Sequence, residues 1–232
     1  MKYPNISKAT FVSRPNRFVA NVILDNQMQT VHVKNTGRCR ELLKHGATVY
    51  LTNSCNPLRK TKFDLIAVEK EREGNSPLLI NIDSMAPNDV VEEWLPHSGL
   101  FSSDAKIKRE YTLGSSRFDF YIEDGQRRCI IEVKGVTLEN NGSVMFPDAP
   151  TERGVKHLME LSRFGEEGYE TYILFIIALE GARFFAPNDL THKAFGDALR
   201  FAVSHGVHAL AYDCFVEPSL IKINSPVEIR LG

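Results

Sequence analysis

Residues 116–135 constrain the fold more than any other stretch of this 232-residue chain. Ser116-Arg117-Phe118-Asp119-Phe120 and Ile131-Glu132-Val133-Lys134-Gly135 flank Glu123-Asp124-Gly125-Gln126. Asp-Gly between two alternating runs marks a hairpin, because a tight turn needs the left-handed backbone that these residues tolerate. Alternation places Phe118, Phe120 and Ile122 on one face and Arg117, Asp119 and Tyr121 on the other. With Asp124-Gly125 as a two-residue loop, Asp119 opposes Ile130 and Arg117 opposes Glu132. Glu132 and Lys134 share the face of Ile130. Asp119, Glu132 and Lys134 then converge, with the two carboxylates as diagonal neighbours at roughly 7–8 Å between backbones. Such a pair reaches toward one hard cation, whose oxygen ligands lie about 2.0–2.6 Å away. A one-residue change in loop length would break this parity. The plain alternative is a solvated sheet face with an Arg-Glu pair. Ile130, Ile131 and Val133 weigh against it, since a strand buried on both sides makes an unpaired Glu-Lys costly.

The net charge of −1 conceals an asymmetry. Residues 1–85 carry 13 Lys+Arg against 7 Asp+Glu, and residues 86–232 carry 15 against 22. A basic first part fits an anionic partner, nucleic acid first among them, against chance segregation of surface charge. Cys39, Cys55, Cys129 and Cys214 stand far apart, with no CxxC or CxxH spacing. That argues against a structural zinc site and against a secreted disulfide framework. With no signal peptide and no apolar run near about 18 residues, the expectation is a soluble cytoplasmic protein without a membrane partner.

In chain order, residues 9–13, 18–24, 29–33, 47–52, 63–69 and 78–82 read as short strands. Pro15-Asn16 and Asp25-Asn26 are turns between the first three, and residues 40–45 read as one small helix ended by Gly46. Several short strands in so little chain suit a closed barrel of the oligonucleotide/oligosaccharide-binding (OB) type. Around them fall Arg14, Arg17, Lys34, Arg38, Arg40, Arg59, Lys60 and Lys62. Phe11, Phe18 and Tyr50 are candidate stacking platforms, each with core packing as its alternative. Composition changes at residues 83–88, where Ala86-Pro87-Asn88-Asp89 reads as a helix start and Trp94 as an anchor between two parts. Residues 107–113 read as a strand, with Glu110 as a further acidic candidate.

A helix over 151–167 has an apolar side of Val155, Leu158, Met159, Leu161 and Phe164. Arg153 and His157 fall on its polar side, one turn apart, either facing phosphate or simply wet. The apolar run 172–179 fits a buried central strand, residues 194–205 a second helix and 208–216 a further strand. His192, His205 and His208 have no metal-ligand spacing, and the tail after Pro218 carries no signal. The second part is thus a mixed sheet with helices packed on it. The expected architecture is a two-domain α+β or α/β chain, an OB-like nucleic-acid-binding barrel over 1–84 followed by a second domain over 85–232.

Asp119, Glu132-Val133-Lys134 and the helix after them resemble the core of the PD-(D/E)xK, restriction-endonuclease-like nuclease fold over about 104–215. Phe118 stands where that fold often has proline. Over nearly the full length, Asn35-Thr36-Gly37-Arg38, Ser116-Arg117-Phe118-Asp119-Phe120, Glu132-Val133-Lys134-Gly135 and 146–154 (FPDAPTERG) resemble the sugar fermentation stimulation protein family. The resemblance implies an OB-like barrel, a nuclease-like domain and DNA binding. It identifies no reaction.

Two functions are therefore expected. The first is a DNA-binding protein with a divalent-metal site, acting as a metal-dependent deoxyribonuclease. Asp119, Glu132 and the backbone carbonyl of Val133 would hold Mg²⁺ or Mn²⁺, and Lys134 would orient water or offset developing charge. Arg117, Arg153 and His157 would meet phosphate, and Arg14, Arg17, Lys34, Arg38 and Arg40 would supply affinity. The second is a non-enzymatic DNA-binding regulator, of sugar metabolism by the family resemblance, that keeps the fold as a scaffold. A carbohydrate-binding barrel explains neither the charge split nor the hairpin. Single-stranded, duplex and branched DNA, and self-association into a homo-oligomer, all stay open.

Overall fold

The computed structural model describes residues 1–35, 37, 39–54 and 58–232. Six strands open the chain: β1 (Ser7–Ser13), β2 (Val19–Leu24), β3 (Gln27–Val33), β4 (Thr48–Asn53), β5 (Phe63–Arg72) and β6 (Asn75–Asn81). The first five close into an OB-like barrel, because β1 pairs with β4 and β3 pairs in parallel with β5. Period-two burial drives it: Ala9 and Phe11, Ala20 and Val22, Val31 and Val33, and Val49 and Leu51 all point into one core. The β2–β3 turn is Asp25-Asn26, both at positive φ, as a two-residue hairpin that follows the strand twist requires. The helix expected over 40–45 is a single turn instead, with the Cys39 carbonyl accepting from Leu42 and Leu43. Positive φ at Cys39 and Gly46 bounds this segment, and its two leucines are buried in the barrel core.

The chain leaves the barrel through β6 and enters α1 (Ala86–Trp94), then β7 (Lys106–Leu113), β8 (Ser116–Asp124) and β9 (Arg127–Val136). Next come β10 (Leu138–Asn140), β11 (Ser143–Phe146), α2 (Glu152–Glu166), β12 (Glu170–Ile177), β13 (Phe184–Pro187) and α3 (Asp189–Ser204). The chain ends in β14 (His208–Glu217), β15 (Leu220–Pro226) and β16 (Glu228–Ile229). The main sheet has the order β15-β14-β12-β9-β8-β7, parallel across β14, β12 and β9 and antiparallel at both edges. β12 sits at its centre, and Thr171 through Ile177 are all buried. Leu158, Leu161, Phe195 and Leu199 of α2 and α3 pack on one face, while Val90 and Val91 of α1 pack on the other.

A second small sheet, β10-β11-β13-β16, escaped the sequence reading. Asn141-Gly142, both at positive φ, is its hairpin turn and was the available signal. β15 and β16 lie in the tail beyond Pro218. Trp94 packs on a core cluster that holds residues of both parts, Ile66 and Ala67 of the barrel among them. Its ring meets Tyr212 of the main sheet at 4.8 Å between centroids. The barrel joins the second part through Asn81 N–H, which donates to the Ala178 carbonyl, and through Lys70, which pairs with Glu139 at 2.7 Å. Among the described residues no helix is long and apolar enough to cross a membrane.

Candidate nuclease-like site and basic hollow

The β8–β9 turn is Gly125-Gln126, not Asp124-Gly125. Asp124 pairs with Arg127 and Phe120 with Ile131. The register moves by two residues, so side-chain parity survives. Continued one step, it sets Asp119 opposite Glu132, where a diagonal was expected. Arg117 moves away from Glu132: it opposes Thr112 on β7, is exposed, and pairs with Glu110 at 3.4 Å.

The expected common face of Phe118, Phe120 and Ile122 is also split. Phe118 packs with Phe164 of α2, whereas Phe120 and Ile122 pack in the layer of α1. The β7–β8 pairing skips Glu110 and Asp119, and Glu110 has φ +51°. This irregularity rotates the strand at Asp119 and aims its carboxylate toward the start of α1. Glu110 itself stays exposed and does not join the carboxylates.

Asp119 is fixed by two donors. Asn88 of α1 gives its amide to Oδ1 at 2.7 Å, and the Val133 N–H donates to Oδ2 at 2.7 Å. Val133 thus enters through its N–H. Gly135 lets α1 come this close, since a Cβ there would stand 2.8 Å from Cγ of Pro87. Glu132 is buried, and its Oε1 accepts from Lys134 Nζ at 2.5 Å and bonds His157 Nδ1. Arg153 Nε lies 3.4 Å from His157 Nε2, which leaves Nδ1 as the donor to Glu132. His157 is itself buried, so it braces Glu132 instead of facing phosphate, while Met159, expected inside, is 44% exposed. The helix is rotated relative to the expected apolar side, because the ion pair at Glu132 takes the inward position.

The electrostatics of the two acids differ. Burial pushes the Asp119 carboxyl up, and the neighbouring Glu132 charge adds to this, only partly offset by Val133 and Asn88. Burial also pushes Glu132 upward, but His157 and Lys134 overcome it and hold the carboxyl below its usual value. Glu132 Oε2 is buried with no hydrogen-bond partner. Among the described residues no cluster of three or more His, Cys, Asp and Glu is arranged to hold a metal. Two opposed carboxylates with an orphaned oxygen still fit a divalent cation such as Mg²⁺, which commonly takes one or two carboxylates and keeps several waters. Asn88 is the site residue that the sequence reading missed. Its position in the first turn of α1 gave no hint of its partner.

The barrel cations divide. Arg14 spends its guanidinium on the carbonyls of Asn35, Gly37 and Arg17, so it staples the loop before the turn. Lys34 pairs with Asp83 at 2.7 Å, and Arg59 with Asp64 at 2.7 Å. Arg17 and Arg40 are exposed and line one hollow, together with Arg14 and Ala149. Arg38 lies outside the described residues. Phe11 is buried, and Tyr50 bonds Glu69, which removes both as platforms. Phe18 is 52% exposed, with the Arg17 guanidinium 5.6 Å from its ring centroid.

Residues 85–220 match the sugar fermentation stimulation protein RE domain, and residues 12–78 match the SfsA N-terminal OB domain. A sugar fermentation stimulation protein homolog of Ruminiclostridium cellulolyticum is 50% identical over 231 residues, 100% of each chain. One from Desulfitobacterium hafniense is 53% identical over 100% of this chain and 99% of its own. Among solved structures, SfsA of Pyrococcus furiosus in complex with Ca²⁺ superimposes with a TM-score of 0.87 at 26% identity, covering 99% of this chain and 98% of that one. With both parts matched in order and half the residues shared with full-length relatives, the chain belongs to the sugar fermentation stimulation protein family.

Proposed function

We propose that the protein is a cytoplasmic DNA-binding phosphodiesterase whose Asp119 and Glu132 take a divalent cation, Mg²⁺ or Mn²⁺. The observation that carries this is the buried, unpartnered Oε2 of Glu132 opposite an Asp119 carboxyl destabilised by that same charge. A cation between them would relieve both. The Ca²⁺ in the Pyrococcus furiosus relative supports it, since Ca²⁺ seeks the same oxygen ligands. Such an ion polarises a phosphate oxygen and makes bound water a nucleophile near neutral pH. Asn88 and Val133 orient Asp119, and His157 with Arg153 behind it orients Glu132. Lys134, partly exposed at the rim, offers its ammonium to the phosphate oxygen or the attacking water.

Cleavage of DNA should require added Mg²⁺ or Mn²⁺ and fall by at least about 10²-fold in Lys134→Ala and Asp119→Ala. Persistence of cleavage in both variants would refute the site.

A second reading has its own support. Lys134 and His157 already satisfy Glu132 Oε1, so the cluster is stable as a purely structural ion pair. In that case the protein binds DNA without cutting it. Cation-independent binding with no cleavage of strand, duplex or branched DNA would favour it.

On either reading Arg17 and Arg40 are the barrel's phosphate contacts. Arg17→Ala with Arg40→Ala should reduce the slope of log K against log salt by roughly 1.4–1.8, as two phosphate contacts require. An unchanged slope in an anisotropy titration would remove this surface from the interface.

A further inference from the structure

Strand β7 changes face in its middle, and β8 changes with it. Residues two apart on a regular strand share a face. Arg109 nevertheless lies toward α1, bonded to Asp89 and Glu92 and 5.9 Å from the Phe120 ring. Tyr111 stacks on Tyr121 at 4.2 Å between centroids, in the core beneath α2. On β8, Phe118 belongs to the α2 core and Phe120 to the α1 core. Arg109 pairs with Phe120 and Tyr111 with Phe118, so the register is the same on both sides of the gap and neither strand has gained a residue. The two strands turn over together at Glu110 and Asp119.

Glu110 stands at φ +51°. That left-handed region is costly for a residue with a Cβ, and glycine or asparagine is its usual occupant. The side chain does not account for it. Glu110 is 58% exposed, and its ion pair with an equally exposed Arg117, at 3.4 Å, is of a kind that contributes little. A strained residue without a local reason points to what it holds in place. The position beside it on β8 is Asp119, whose carboxylate accepts from Val133 N–H and from Asn88 of α1. From Phe120 to Asp124, β8 is paired to β9 as well as to β7, whereas Ser116 to Phe118 pair with β7 alone. A regular β8 would therefore keep Phe120 on the α1 side and turn Asp119 to the α2 side, away from Asn88.

We propose that Glu110 is a positioning residue: its left-handed backbone turns β7 and β8 over and so delivers the Asp119 carboxylate to Asn88, Val133 and the cation. This deepens, and rests on, the reading of Asp119 and Glu132 as a divalent-cation site. The test is Mn²⁺ binding, followed by the paramagnetic resonance of free Mn²⁺, in variants whose circular dichroism matches the wild type. Glu110→Gln removes only the charge, and Glu110→Gly and Glu110→Asn tolerate the left-handed region, so all three should keep the wild-type midpoint. Glu110→Val and Glu110→Ile, β-branched and averse to that region, should raise it at least about tenfold. Hydrogen exchange at the Val133 amide in EDTA gives a metal-free readout, with Asp119→Ala as the reference for loss of that bond. Glu110→Gly should keep the protection, and the β-branched variants should lose it. Relief of the strained backbone should also raise Tm in Glu110→Gly by ~2–4 °C, an arm that decides alone where the β-branched variants do not fold. Wild-type midpoints and protection in folded Glu110→Val and Glu110→Ile overturn the proposal, as does a lower Tm in Glu110→Gly. Absence of Mn²⁺ binding by the wild type overturns the cation site, and Val133 exchange then decides the positioning by itself.

Discussion

Asp119→Asn should leave the protein more stable and unable to hold a divalent cation. The carboxyl is costly in its ionised form because it is buried and faces Glu132. The amide removes that charge and keeps the geometry: its oxygen accepts from Val133 N–H, and a flipped Asn88 amide accepts from its NH₂. The sign follows from linkage. A carboxyl whose folded value is raised contributes stability below its unfolded value, near about 4, that is lost as pH rises through the folded value. The variant has no such loss, so its advantage grows as pH rises through that window and is full above the folded value. A gain of the order of 1 kcal/mol, or ~2–4 °C in Tm, is expected for a chain of this size. The same substitution removes a charged ligand, so Mn²⁺ should no longer raise Tm. A lower Tm than wild type in cation-free buffer at neutral pH would show that the acid is not strained.

His157→Ala should have the opposite sign and a larger size. It removes a bonded partner of a buried Glu132 and leaves Lys134 to hold that charge alone. Removing one hydrogen bond to a buried carboxylate that keeps its lysine costs about 1.5–3 kcal/mol, of the order of 5–10 °C in Tm. The pH dependence moves with it. Glu132 is held low in the wild type, so its contribution is present above its unfolded value and is lost as pH falls through the folded value. In the variant the folded value rises, and the acid limb of a Tm–pH profile should begin at higher pH. His157→Gln, which keeps a donor, should recover part of the loss. A change in Tm below about 1 kcal/mol equivalent would mean that Lys134 suffices alone.

Much of this site was legible because strand parity is a local property. Asp119, Glu132 and Lys134 could be brought together from spacing alone, and a loop displaced by one residue on each side kept their parity. Arg117 was lost for the same reason, since its expected partner depended on the register and not on parity. His157 was placed on an outer face, toward phosphate or water, because a histidine on an amphipathic helix carries no mark of a buried partner on another strand. Asn88 and Arg14 make the same point: one orients Asp119 across 31 positions of sequence, the other, expected to supply nucleic-acid affinity, fastens the barrel loop through the Asn35 and Gly37 carbonyls. The barrel strands were readable because one face is buried and the other wet. The strands of the second sheet, two to four residues each, are too brief to show a period, and the seven-residue β15 of the tail buries only Ile221, so it carries no alternation.

The central claim is that Asp119 and Glu132 share a divalent cation. Its direct measurement is anomalous diffraction from crystals of the protein soaked in Mn²⁺. The account predicts one peak within coordination distance of an Asp119 carboxylate oxygen and of Glu132 Oε2, absent in Asp119→Asn. A map with no peak there, from crystals that still cleave DNA in Mn²⁺, would contradict it.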